Sequence, residues 1–169
     1  MANLEILNSP ARTLVVDDYD PWRRHICAVL KARPGLQLVG EASDGLEAVR
    51  MCTELKPDLI LLDIGLSNLN GIEVEKRICQ LVPSPKVLFL SQDDDAEVVQ
   101  AALGNGAQGY VLKADAGSEL LPAIKAILRG ERFVSSHTNK AAESTCPSSK
   151  RRALVESATC KTARSSLLR

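Results

Sequence analysis

Aromatic residues are scarce, with two Phe, two Tyr and one Trp in 169 positions. Residues 133–169 hold almost none of them and show no run of amphipathic helices, so no folded DNA-reading module is expected there. Five cysteines (Cys27, Cys52, Cys79, Cys146 and Cys160) form no close pairs and no metal-ligand spacing. That argues against a disulfide framework and a zinc site and leaves them reduced. The two histidines, His25 and His137, stand alone in the sequence. No apolar stretch approaches the ~20 residues of a membrane span, and no basic region at the N-terminus leads into a signal-type run. A cytoplasmic protein without membrane contact is expected. No repeat at a solenoid period is found.

Net charge is also absent, with 21 basic and 21 acidic residues, but the balance hides an asymmetry. Residues 1–132 carry 14 Lys/Arg and 19 Asp/Glu, a net −5, and residues 133–169 carry 7 and 2, a net +5. In that last segment 12 of 37 residues are Ser or Thr and large apolar residues are scattered, so it cannot bury much. A basic tail, disordered or with one short helix over 151–166, is expected. Nucleic-acid contact is expected to be absent, or confined to weak, salt-sensitive binding by Lys150-Arg151-Arg152.

What the chain does have is a set of apolar runs that end in polar residues. Leu59-Ile60-Leu61-Leu62 runs without a break into Asp63, as a strand buried on both faces would. Thr13-Leu14-Val15-Val16 ends in Asp17-Asp18, Lys86-Val87-Leu88-Phe89-Leu90 ends in Ser91, and Gly109-Tyr110-Val111-Leu112 ends in Lys113. Leu36 to Ala42 alternates in part and reads as an edge strand. Between them lie helical patterns: Asp20-Pro21 offers a cap and first turn for Trp22, Ile26, Val29 and Leu30, and Ser43-Asp44-Gly45, Asn68 to Gly71, Asp93-Asp94-Asp95 and Gly117-Ser118 open four more. Five strand-helix units predict an α/β fold, a doubly wound parallel sheet with helices on both faces. Residues 1–11 form a lead-in, 12–132 the domain and 133–169 the tail.

In such a sheet ligands bind at the carboxyl ends of the strands, where Asp17, Asp18 and Asp63 would share a pocket. Three close carboxylates repel, and a hard divalent cation, Mg²⁺ or Mn²⁺, relieves that repulsion with all-oxygen ligands. Ser91 and Lys113 add a hydroxyl and an ammonium suited to a phosphoryl group bridging the metal. Asp63, on the central strand, is the natural nucleophile toward phosphorus. A flavin phosphate would want a Gly/Ser/Thr loop after the first strand, where this chain has Asp17-Asp18-Tyr19-Asp20.

Val15-Val16-Asp17-Asp18, Leu61-Leu62-Asp63, Ser91 and Tyr110-Val111-Leu112-Lys113 together resemble the motifs of response-regulator receiver domains, over about residues 12–131. The resemblance implies the flavodoxin-like strand order 2-1-3-4-5, an order for which a member of that family is a standard example. It implies Asp63 as phosphoacceptor, Asp18 and Asp63 as direct metal ligands, the Gly65 carbonyl as another, and Asp17 acting mainly through water. Lys113 and Ser91 would hold phosphoryl oxygens, and Ser91 and Tyr110 would report the modification. Gly104 to Tyr110 and Gly130-Glu131-Arg132-Phe133 further resemble the subfamily usually followed by a helix-turn-helix output domain, and none is found here.

The expected function is therefore a phosphorylation switch in two-component signalling, not a turnover enzyme, with only slow self-phosphorylation from small donors and self-dephosphorylation. Its partners would be a sensor histidine kinase, an output partner, and a second copy in a homodimer. The alternative is a receiver-like interaction module that never uses phosphorylation, prompted by Gln92 where the family has a small residue.

Overall fold

A computed structural model describes residues 9–81 and 83–138. Along the chain the elements are β1 (Ala11–Val16), α1 (Asp20–Lys31), β2 (Leu36–Ala42), α2 (Gly45–Leu55), β3 (Leu59–Leu62), α3 (Gly71–Ile78), β4 (Lys86–Ser91), α4 (Ala96–Gly104), β5 (Gly109–Leu112), a 3₁₀ turn (Lys113–Asp115), α5 (Ala116–Leu128) and β6 (Phe133–Val134). The strands form one sheet in the order β2-β1-β3-β4-β5-β6, every neighbouring pair parallel. The α/β class, the doubly wound parallel sheet and the order 2-1-3-4-5 are as the sequence implied.

The central run explains the layering. In β3, Leu59, Ile60, Leu61 and Leu62 are each at most 1% exposed, and successive side chains point to opposite faces of a strand. Leu59 and Leu61 join a core layer with Ile26 and Leu30 of α1 and Leu120, Ile124 and Ile127 of α5. Ile60 and Leu62 join a second layer with Cys52 of α2, Val74 and Ile78 of α3 and Val99 of α4. Each such side chain contributes roughly 1.5–3 kcal/mol on burial, so the strand carrying Asp63 is anchored on both sides.

Helix starts follow local chemistry. Asp44 caps α2 by accepting from the Glu47 N–H at 2.9 Å, and Asn70 caps α3 by accepting from the Glu73 N–H at 2.9 Å. Asp20, expected as the α1 cap, instead lies inside the first turn; Tyr19 holds the cap position and makes no side-chain bond. The Asp20 carboxylate is engaged elsewhere, pairing with Arg23 at 2.6 Å and Arg24 at 2.8 Å. α5 likewise starts at Ala116, just before the expected Gly117-Ser118, because the 3₁₀ turn leads into it.

The sixth strand was not anticipated. Phe133 N–H donates to Gln108 O at 3.1 Å and Ser135 N–H to Tyr110 O at 2.8 Å, which extends the sheet by a two-residue strand. The buried Ser135 hydroxyl donates to the Glu119 carboxylate and accepts from Leu112 N–H at 3.3 Å. Residues 133–138, read from sequence as the start of the tail, thus pack on β5 and α5. The expected tail helix and the Lys150-Arg151-Arg152 cluster lie outside the described residues, as do positions 1–8.

Candidate functional site

The strand ends deliver four of the expected groups to one place. Asp17 follows β1 and its N–H donates to Ala42 O at 3.1 Å; Asp63 follows β3 and its N–H donates to Val16 O at 2.9 Å. These bonds prolong the ladder and hold both carboxylates at its tip. One oxygen from each of Asp17, Asp18 and Asp63 lies within 4.8 Å of the others. Asp17 and Asp63 are buried, whereas Asp18 is exposed.

Lys113, the first residue past β5, supplies the counter-charge. Its Nζ donates to Asp17 Oδ2 at 2.6 Å and stands 3.2 Å from Asp63 Oδ2, with side chains 10%, 3% and 9% exposed for Lys113, Asp17 and Asp63. A lysine is almost never buried unless paired, and here it is paired twice. Burial pushes the Asp63 carboxyl above the ordinary carboxylate range. The Lys113 ammonium opposes that rise, the neighbouring Asp17 carboxylate adds to it, and the Gly65 N–H beside the carboxylate opposes it.

The loops are tied to the same cluster. Tyr19 N–H donates to Asp17 Oδ1 at 2.9 Å, so both Asp17 carboxylate oxygens are engaged. Ser67 N–H approaches Asp18 Oδ2 at 3.3 Å, which brings the segment after β3 over the pocket. Gly71 fixes the back of that segment: its N–H donates to Ile64 O at 2.9 Å, and a Cβ there would sit 2.2 Å from the Asp63 carbonyl oxygen. Only a residue without a side chain allows α3 to start so close.

Ser91 and Tyr110 meet at Asp93. The buried Ser91 hydroxyl accepts from Asp93 N–H at 3.1 Å, and the Tyr110 hydroxyl donates to Asp93 O at 2.7 Å. Tyr110 is fully buried, and burial pushes its phenol up, opposed by the Ser91 hydroxyl. Gln92, flagged in the sequence as a bulky neighbour of Ser91, is exposed.

Some contributors were missed. Trp22, read only as a helix-core residue, places its ring 5.7 Å from Lys113 Nζ. Arg23 donates to the Asp17 carbonyl at 2.6 Å; its spacing three residues after Asp20 was the available signal. The histidines are not isolated in space, since His25 lies against Trp22 and His137 Nδ1 is 2.8 Å from Asp115. Cys27, Cys52 and Cys79 are free thiols, and Cys146 and Cys160 lie outside the described residues. No helix of the described residues is long and apolar enough to cross a membrane.

Comparisons of sequence and of fold with known proteins agree on one family. The response regulator receiver domain family matches residues 13–125. The chain is 39% identical over 120 residues to the transcriptional regulatory protein LiaR of Bacillus subtilis, covering 71% of this chain and 57% of that protein. It is 40% identical over 120 residues to a putative transcriptional regulator of Pseudomonas aeruginosa, covering 71% and 58%. It therefore spans little more than half the length of these relatives. A LuxR-family two-component response regulator from an Aurantimonas species superposes with a TM-score of 0.76 at 34% identity, covering 80% of this chain and 99% of that one. The receiver domain of the putative response regulator NarL from Mycobacterium tuberculosis does so at 0.69 and 28%, covering 73% and 99%. The chain belongs to the response-regulator receiver family, and the relatives it resembles include LuxR- and NarL-type members.

Proposed function

We propose that the chain is a phosphoacceptor switch in which Asp63 receives a phosphoryl group from the phosphohistidine of a sensor histidine kinase. The observation that carries this reading is the doubly paired Lys113 ammonium, 2.6 Å from Asp17 and 3.2 Å from Asp63, beside the three-carboxylate cluster.

The donor set fits a hard cation. Asp18 is exposed and can take a metal together with water, and Asp63 lies within reach of the same point. Asp17 has both oxygens engaged, by Lys113 and Tyr19, which favours an indirect part through water. Asp18, Asp63 and the Gly65 carbonyl would hold Mg²⁺ or Mn²⁺, which would supply charge neutralisation at the phosphoryl oxygens. An Asp63 carboxylate oxygen attacks phosphorus, the phosphorus–nitrogen bond breaks, and the imidazole leaves with the electron pair and is protonated from water. The product is an acyl phosphate; its hydrolysis returns the carboxylate and inorganic phosphate. Lys113 stays between Asp17 and the new group, so the added negative charge meets a fixed ammonium.

Ser91 and Tyr110 carry the signal outward. If the Ser91 hydroxyl turns to a phosphoryl oxygen it releases Asp93 N–H, and the Tyr110 hydroxyl holds the same residue's carbonyl. Two arrangements of the segment between β4 and α4 follow, and the face formed by α4, β5 and α5 then binds its output partner, or a second copy, differently in each. The role is control of binding, with little turnover of its own. Incubation with acetyl phosphate and Mg²⁺ tests it: intact mass should rise by one phosphoryl group in the native chain and not in Asp63→Asn.

A further inference from the structure

Trp22 is the chain's one tryptophan. It lies in the first turns of α1, and Lys113 Nζ sits over its ring, 5.7 Å from the centroid. That is inside the ~6 Å reach of a cation–π contact. The ring also meets His25 at 5.7 Å with a 40° tilt and packs against the core layer shared by α1 and α5. Its indole N–H is buried and, among the described residues, has no hydrogen-bond partner.

These facts conflict if Trp22 is only packing. An unpaired buried donor is destabilising, and phenylalanine at the same place would leave none. As a partner for a cation, however, tryptophan is the best of the aromatic residues. Two of the three ammonium donors can be taken by Asp17 at 2.6 Å and Asp63 at 3.2 Å, and the ring presents an electron-rich face to the same group. The contact is largely desolvated, because the lysine side chain is only 10% exposed.

We propose that Trp22 is a positioning residue for Lys113, its ring face fixing the ammonium beside Asp63 where a phosphoryl oxygen must arrive. This rests on the phosphoacceptor reading for its consequence but not for its geometry. With one tryptophan in the chain, its emission also reports the charge on Lys113.

The test compares the native chain with Trp22→Phe and Trp22→Leu for initial uptake from acetyl phosphate with Mg²⁺, and with Lys113→Gln for tryptophan emission without any donor. Trp22→Leu should slow uptake by roughly three- to tenfold, the range of a partly desolvated cation–π contact. Trp22→Phe should slow it less while melting at or above the native temperature, an order that a packing role would not produce. Lys113→Gln should alter the emission maximum or intensity. Equal uptake by Trp22→Leu and the native chain, rate losses that follow the melting temperatures, or emission unchanged in Lys113→Gln would each overturn the proposal. If the native chain takes up no phosphoryl group the phosphoacceptor reading fails, and the emission comparison alone decides the Trp22–Lys113 contact.

Discussion

Lys113 Nζ stands closer to Asp17 Oδ2, at 2.6 Å, than to Asp63 Oδ2, at 3.2 Å. The lysine is thus secured by Asp17, which leaves its longer contact facing Asp63, the proposed phosphoacceptor. A buried charge left without its partner costs about 3–5 kcal/mol. Lys113→Met should therefore destabilise the fold by an amount in that range near neutral pH. Urea unfolding at pH 7 and at successively lower pH checks this: the loss should shrink in acid, because the Asp63 carboxyl, raised by burial, takes up its proton more readily and then needs less counter-charge.

Asp63 carries a stability penalty of its own. Burial raises its carboxyl above the ordinary value, so the folded chain holds that proton more tightly than the unfolded one. The stability tied to this proton is complete below the unfolded pKa and is lost as pH rises through the folded pKa. Asp63→Asn removes the ionisation, and in the absence of divalent ions it should raise the melting temperature at pH 7. A gain near 1 kcal/mol shifts a domain of this size by about 4 °C. Scans at descending pH should show the gain disappearing; a constant gain would contradict the stated cause.

Gly71 tests how the loop is held behind Asp63. A methyl group there would lie 2.2 Å from the Asp63 carbonyl oxygen, so Asp63 or the start of α3 must move. Gly71→Ala should cost roughly 1–3 kcal/mol, as overpacking usually does, and should slow phosphoryl uptake as well. Chemical unfolding and intact-mass kinetics on the same variant separate the two effects.

Tyr110→Phe removes one hydroxyl and keeps the ring against Phe89. The lost bond to Asp93 O, at 2.7 Å, should cost about 0.5–1.5 kcal/mol. Uptake at Asp63 should persist in this variant, while any phosphorylation-dependent change in self-association, read by sedimentation, should weaken.

Much of this is legible in the residues themselves. Four apolar residues running into Asp63 announce a doubly buried strand, because no half-exposed strand tolerates such a run. Asp17, Asp18 and Lys113 follow from the same logic, since strand ends share one crevice. What stayed hidden depends on contacts distant in sequence. The two-residue strand Phe133–Val134 has no periodicity to detect, and its existence rests on bonds to Gln108 and Tyr110. Trp22 fits helical core spacing, so nothing local marks its approach to a lysine 91 positions later in the numbering. Asp20 has the side chain and the following proline of a cap, but Arg23 and Arg24 compete for the carboxylate and win it.

Transfer of a phosphoryl group to Asp63 within a metal-assisted acidic cluster leaves a covalent mark that can be weighed. The decisive experiment is intact mass after incubation with acetyl phosphate, with Mg²⁺ and with excess chelator. A single added phosphoryl group that requires the divalent ion and vanishes in Asp63→Asn is expected. An unchanged mass in the native chain, or equal labelling of Asp63→Asn, would refute phosphoryl transfer to Asp63.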